Sequence, residues 1–278
     1  FTVRKVGVMK LSVSNIAWDQ DTPGLLNKIK SSGFSGVEVA PTKIWPNWEG
    51  INSSSIKNYK KYLADFGLEV PAMQAILFGK PELQLFDMDS HEGFLEHFKL
   101  LSEIANGMEA KVMVFGSPKN RLRKNLSYLE AIDAASIFFE KVSDILNGSG
   151  CRLGIEHNPV EYGCDFLTNY RDVNELVKEV DRDEVGLHLD LGALYMCDEN
   201  ISKSILDANQ FMHVHVSAPS LAPVHQSSVD YAIAFKTLKS MSYNSYLSIE
   251  MLKPGEESQL RESLDFISLM SKHVWDSA

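Results

Sequence analysis

The sequence predicts an α/β fold, a single (β/α)8 TIM barrel with a metal site at the C-terminal ends of strands 5–8. Two observations carry the architecture and a third places the site. Short apolar runs rich in β-branched residues alternate from end to end with longer segments of helical period. Eight such runs fit into 278 residues, the size of one closed barrel of eight strand–helix units. The last four runs each end in a side chain able to bind a cation.

The runs are Lys10–Trp18, Gly36–Ala40, Glu69–Leu77, Lys111–Gly116, Arg152–Glu156, Glu184–Asp190, Phe211–Val216 and Tyr246–Glu250. Their centres are nearly continuous in apolar character, as parallel strands covered on both faces require. Apolar stripes at helical spacing lie between them. They are Ile56/Tyr59/Leu63/Phe66, Phe94/Phe98/Leu101, Ala135/Phe138/Val142/Ile145, Val173/Leu176/Val177/Val180, Tyr231/Ala234/Phe235/Leu238 and Leu260/Leu264/Ile267/Val274. Asn147-Gly148-Ser149-Gly150 reads as a helix stop. A doubly wound open sheet usually has fewer strands and often a glycine-rich phosphate turn after the first. Here Asn15-Ile16-Ala17-Trp18 follows, and neither GxGxxG nor GxxxxGK[ST] occurs. No linker or composition shift interrupts the pattern. Residues 1–278 therefore read as one domain, with residues 1–8 an upstream addition ahead of Met9.

Composition excludes several classes of function. Charged residues are 23% and hydrophobic residues 44%, ordinary globular values. Net charge is −10, and the densest basic stretch is only Lys119, Arg121, Arg123 and Lys124. Nucleic-acid binding depends on neutralising phosphates, so no nucleic-acid partner is expected, nor an anionic membrane. No apolar run approaches the ~18 residues of a membrane helix, and Phe1 to Val8 leads into no signal-peptide core. Three cysteines without CxxC spacing argue against a disulfide framework and for a reducing, cytoplasmic setting. Composition sets no oligomeric state.

The strand ends carry the chemistry. In such barrels the active site lies at the C-terminal ends of the strands. Strand 5 ends in Glu156, strand 6 in Asp190 and strand 8 in Glu250; strand 7 carries His215. Alternation of side chains puts these four inside if Ile155, Leu189, Val214 and Ile249 face the helices, and the four are expected at matching depth. Three carboxylates sharing a small mouth need a counter-charge, because burying each unpaired is costly. One divalent ion supplies it, with Mn²⁺ or Mg²⁺ favoured and Co²⁺ or Zn²⁺ as alternatives. His188 and His213 come two residues earlier on the same face. His213 reads as an interior hydrogen-bonded histidine, and His188 lies either behind the ligands or against substrate.

These residues, with Ser12-Val13-Ser14-Asn15, Gly36-Val37-Glu38, Gly154-Ile155-Glu156-His157-Asn158-Pro159, Gly186-Leu187-His188-Leu189-Asp190, His213-Val214-His215-Val216 and Leu247-Ser248-Ile249-Glu250, carry a resemblance over the whole length. The chain resembles the xylose isomerase-like TIM barrel superfamily, in its sugar phosphate isomerase/epimerase branch. The resemblance implies that Glu156, Asp190, His215 and Glu250 bind one divalent metal and that Glu156 and Glu250 are also acid/base groups. It implies an isomerase or epimerase of a sugar or sugar phosphate, working by proton transfer through a metal-stabilised enediolate. The chain departs from the ketose 3-epimerases of that family at three substrate positions. Ala193 and Leu221 replace a histidine and an arginine, and Tyr162 replaces a glutamate, with Glu161 adjacent. The three-zinc repair nucleases of the superfamily need extra histidines where this chain has Gln74, Gly116 and Ala193.

Further substrate contacts are expected from Glu38, Gln74, His157, Asn158 and Lys253, the last toward a carboxylate or phosphate. Trp45 and Trp48, in the loop after strand 2, either cover a sugar face or pack on the rim. Lys119 and Arg121 are expected at the surface, with a phosphate role as the alternative. The competing functions are a metal-dependent dehydratase of a polyol or keto-inositol, and a sugar-binding barrel without turnover.

Overall fold

The computed structural model describes residues 9–208 and 211–276, so the reading of residues 1–8 as an addition lies outside the described residues. Eight parallel strands form one sheet in the order β2-β1-β8-β7-β6-β5-β4-β3. They are β1 (Lys10–Ser14), β2 (Gly36–Glu38), β3 (Ala72–Met73), β4 (Val112–Phe115), β5 (Arg152–Glu156), β6 (Val185–Asp190), β7 (Phe211–Ser217) and β8 (Tyr246–Glu250). Two isolated parallel bridges, Gly36 with Glu69 and Val39 with Met73, join β2 to the β3 segment and close the circle. The fold is the expected (β/α)8 TIM barrel.

Helices surround the sheet: α1 (Pro23–Ser31), α2 (Ser53–Asp65), α3 (His91–Met108), α4 (Tyr128–Leu146), α5 (Tyr170–Val180), α6 (Leu191–Met196), α7 (Ile201–Asp207), α8 (Tyr231–Ser240) and α9 (Glu257–Asp276). Their starts follow local chemistry. Ser127 and Glu130 form a reciprocal capping box on α4, and Asn52 with Ser55 does the same on α2. Thr22 caps α1 ahead of Pro23, where a missing N–H does no harm. The apolar stripes read from the sequence are buried between helices and strands, with Phe94, Phe98, Phe138 and Phe139 fully enclosed. Helices α1, α6 and α7, only nine, six and seven residues long, bury shorter apolar pairs: Leu26/Ile29, Leu191/Leu194 and Ile201/Ile205.

Some boundaries differ from expectation. The first run stops at Ser14, whose hydroxyl accepts the Ile16 N–H and turns the chain into a short 3-10 segment. The third run is a strand for only two residues, preceded by Pro71, which lacks an N–H for the ladder. The β6–β7 pairing slips at a bulge, with Leu187 opposite Phe211 but His188 opposite His213. Met212, the extra residue, fills the barrel floor with Ala72 and Val112, in the space that the absent side chain of Gly186 leaves.

Candidate metal centre and active site

The four strand-end residues meet around one ring nitrogen. His215 Nδ1 lies 3.1 Å from Glu250 Oε2, 3.4 Å from Glu156 Oε1 and 3.7 Å from Asp190 Oδ2. One donor atom from each of the four falls within 4.8 Å of every other. They do not share one rung of the ladder. Asp190 pairs with His215, but Glu156 pairs with His188 and Glu250 with Ser217. In a sheared, tilted barrel the rungs climb from strand to strand, so residues on different rungs reach a common centre.

Three of the four ligand candidates are held from behind. The other nitrogen of His215, Nε2, sits 3.0 Å from Glu38 Oε1. Glu38 is fully buried and also accepts a hydrogen bond from Ser248 Oγ at 2.6 Å. Asp190 accepts from the Ser217 hydroxyl at 2.7 and 2.8 Å and from the Ala193 N–H, capping α6. Asn158 Nδ2 donates to Glu156 Oε2 at 3.0 Å. Gly116 is required there, because a Cβ would fall on that same Glu156 oxygen. Arg121 Nη1 donates to the Glu156 carbonyl at 2.7 Å.

The electrostatics divide these groups. Burial, then the neighbouring Glu156 and Asp190 charges, push Glu250 up to about 7, although His215 opposes them. Burial also raises Asp190, but the His215 imidazole, the Ala193 N–H and the Ser217 hydroxyl hold it below the usual carboxylate range. Burial lowers His215, and the Glu250 and Glu38 charges more than reverse this, leaving it well above the ordinary histidine value. His157, buried, is pushed down to about 4.

These residues fit a divalent cation. His215 Nδ1 is buried and makes no hydrogen bond, yet it faces three carboxylates. Three oxygens and one imidazole suit Mn²⁺, Mg²⁺ or Zn²⁺. A carboxylate behind the imidazole, as Glu38 provides, sets the ring's orientation and tautomer.

The remaining candidates fall into two sets. His157 and Asn158 line a cavity of about 260 Å³ together with Glu156, Asp190 and Glu250. Tyr162, Ala193 and Leu221, the three departures from the epimerase pattern, line the same cavity. The others are elsewhere. Glu38 lies beneath His215, where it cannot touch substrate. His188 is wholly buried beside Glu156, its Nε2 3.4 Å from Oε1. His213 Nε2 lies 3.4 Å from Glu38 Oε1 and forms no hydrogen bond. Gln74 is buried and donates to Ser14 Oγ at 2.7 Å. Trp45 is buried, edge-on to Tyr59, while Trp48 donates to the Phe78 carbonyl. Lys253 pairs with Asp19 beside a different cleft.

Arg121 departs most from expectation. It is completely buried, and its Nε and Nη2 have no partner. Lys119 does lie at the surface. No sequence signal marks Arg121, since its burial follows from how the loop after β4 folds over Phe115 and β5.

Fold and site together define a (β/α)8 barrel with a carboxylate–imidazole cluster at the ends of β5–β8. The chain belongs to the xylose isomerase-like TIM barrel family, whose model matches residues 26–270. No curated protein matches the sequence significantly. Solved structures share the fold at low identity. A D-psicose 3-epimerase with D-tagatose from Clostridium cellulolyticum H10 is 15% identical, covering 96% of this chain and 99% of its own, with TM-score 0.76. The probable 3-DHS dehydratase involved in petrobactin synthesis from Bacillus anthracis is 14% identical over 94% and 98%, with TM-score 0.71. The IOLI protein with a bound zinc atom is 18% identical over 96% of each chain, with TM-score 0.69. Among the described residues no helix is long and apolar enough to cross a membrane, and the three cysteines are unpaired.

Proposed function

We propose that this chain is a divalent-metal-dependent isomerase or epimerase of a sugar or sugar phosphate, built as one barrel domain and working in the cytoplasm. The observation that carries the reading is the convergence of Glu156, Asp190 and Glu250 on the buried His215 Nδ1 beside a cavity of monosaccharide size. Membership of the xylose isomerase-like family and the likeness to a sugar epimerase support it. Glu156, Asp190, His215 and Glu250 would hold the ion. An ion there would polarise a carbonyl and stabilise the negative charge that develops as the adjacent C–H proton leaves.

The protein's own part is proton transfer and orientation. Glu156 and Glu250 reach the cavity from β5 and β8. A carboxylate at the cavity wall, as Glu250 is, can take or return a substrate proton. Asn158 fixes Glu156 through Oε2, so that Oε1 faces the cluster. His157 lines the cavity beside Asn158 as a buried imidazole whose pKa burial pushes down to about 4.

The test is exchange of substrate C–H protons in heavy water with Mn²⁺ present, across a panel of ketoses. Glu156→Gln and Glu250→Gln should each reduce exchange about 10²–10⁴-fold. Unchanged exchange in both variants would sink the scheme. Product mass separates the competing lyase, which loses water, from an isomerase, which does not. Sugar binding without exchange would point to a barrel that binds without turnover.

A further inference from the structure

Arg121 is a costly residue in its place. Its side chain is fully buried, although a guanidinium stays charged at any physiological pH. Nη1 donates to the Glu156 carbonyl at 2.7 Å, while Nε and Nη2 have no hydrogen-bond partner. The Phe115 ring lies beside it, 6.0 Å from centroid to Cζ, at the outer limit of a cation–π contact. A buried charge so sparsely partnered is destabilising, and an apolar side chain of similar length would pack there at less cost.

The loop that carries Arg121 is fastened on both flanks. Asn120 Nδ2 donates to the Lys80 and Leu83 carbonyls at 2.8 and 2.6 Å, and the Leu85 N–H donates to the Asn120 carbonyl at 2.8 Å. On the other flank the Arg123 N–H donates to Asp165 Oδ1 at 2.9 Å, and Arg123 Nε to the Asp165 carbonyl at 2.7 Å. The segment is thus tied to the loop after β3 and the loop after β5, with Arg121 turned inward between the ties.

The strand ladder shows why the guanidinium stands there. In a parallel ladder, alternate residues of a strand turn both backbone groups toward the same neighbour. The Arg152 N–H bonds to the Lys111 carbonyl beside β4, and the Leu153 N–H to the Glu184 carbonyl beside β6. Arg152, Gly154 and Glu156 therefore face β4. The last β4–β5 pair is Phe115 with Ile155. One step further, the Glu156 carbonyl would receive the Ser117 N–H. Ser117 instead turns away with φ 41° and starts the short 3-10 turn Pro118–Asn120. Arg121 Nη1 occupies the place of the missing N–H, so a charged donor ends the ladder at a residue of the cluster.

We infer that Arg121 is a positioning residue that completes the β4–β5 ladder at Glu156 and so sets where the Glu156 carboxylate stands among the cation ligands. It does not line the cavity and acts only through Glu156. The inference rests on the metal-dependent reading, in which Glu156 is a ligand.

The test is titration calorimetry of the full chain with Mn²⁺, beside thermal unfolding in chelator. Arg121→Met should weaken Mn²⁺ binding at least about tenfold. Its melting temperature should fall by less than about 3 °C or rise, because a buried charge is removed as one hydrogen bond is lost. Arg121→Lys, which keeps a charged donor, should fall between the unaltered chain and Arg121→Met in affinity. Combining the changes isolates the route. In Glu156→Gln, adding Arg121→Met should cost less than about twofold further, whereas in Asp190→Asn it should cost its full effect. Equal losses in both backgrounds overturn the inference. So does a melting temperature that collapses in Arg121→Met, which would make the guanidinium structural. Failure of the unaltered chain to bind Mn²⁺ overturns this inference and the metal-dependent reading together, while binding indifferent to Arg121→Met overturns this inference alone. The expected affinities without any C–H exchange break the proton-transfer scheme and leave the positioning role standing.

Discussion

Glu38 and Glu250 are buried glutamates on opposite sides of one imidazole, and their surroundings drive them apart. Beneath His215, Glu38 lies among His213, His215 and the Ser248 hydroxyl. Burial alone would raise it, but the two histidines hold it well below the usual carboxylate range. Beyond the ring, Glu250 faces two more carboxylates and is pushed up to about 7. On the underside a buried carboxylate pairs with the ring, and at the mouth three carboxylates gather around its other nitrogen. One barrel thus holds one glutamate well below the usual carboxylate range and raises another to about 7, by neighbours alone.

The sharpest way to break this comparison is to remove the support. Glu38→Ala should lower Mn²⁺ affinity about 10–100-fold, because His215 loses the group that orients it. Gln74→Leu, also buried on the first half of the barrel but bonded only to Ser14, should leave that affinity within about twofold. Titration calorimetry would check both, and equal losses would erase the distinction between the two glutamates.

A second test uses pH. Glu250, pushed up to about 7, and His215, held well above the ordinary histidine value, both bind protons near neutrality, and a cation needs both released. Mn²⁺ affinity should therefore climb with pH, by at least about tenfold per unit below 7, with protons released to the buffer. Glu250→Gln should make the climb shallower. Glu38, already ionised, should contribute nothing to it. A pH-independent affinity between 5 and 7 would contradict the charge arrangement at the mouth.

Two glycines compare mouth and floor in stability. A Cβ at Gly192 would lie 2.7 Å from Ser217 Oγ and 3.0–3.1 Å from the Ala218 backbone, which cannot yield easily. Gly192→Ala should cost about 1–3 kcal/mol. At Gly186 the obstacle is the flexible end of Met212, so Gly186→Ala should cost less than about 1 kcal/mol. Thermal unfolding would rank them. The smallest effect belongs to the surface: Lys61→Ala, which breaks an exposed pair with Asp65, should change stability by less than about 0.5 kcal/mol.

The barrel was legible because its signals are local. Strands Arg152–Glu156 and Tyr246–Glu250 match the apolar runs at both ends, and each ligand candidate terminates or nearly terminates a run. What the sequence hid depends on contacts between distant segments. The β3 strand shrinks to two residues through Pro71 and pairing with β2. The bulge in β7 has no mark beyond a methionine opposite a glycine. Glu38 was expected to face substrate because it ends a strand, yet β2 ends lower in the barrel, under His215. Arg121 reads like any loop arginine until the loop closes over it, and Lys253 until Asp19 comes beside it.

The four ligand candidates sit on strands, while Tyr162 and Leu221 sit in the short segments that follow β5 and β7 and Ala193 in the first turn of α6. A strand residue is locked by ladders on both sides, whereas Tyr162 and Leu221 are held by a few local hydrogen bonds. The barrel thus keeps apart the residues that gather the carboxylates and the residues that bound the cavity, so one set can change without moving the other.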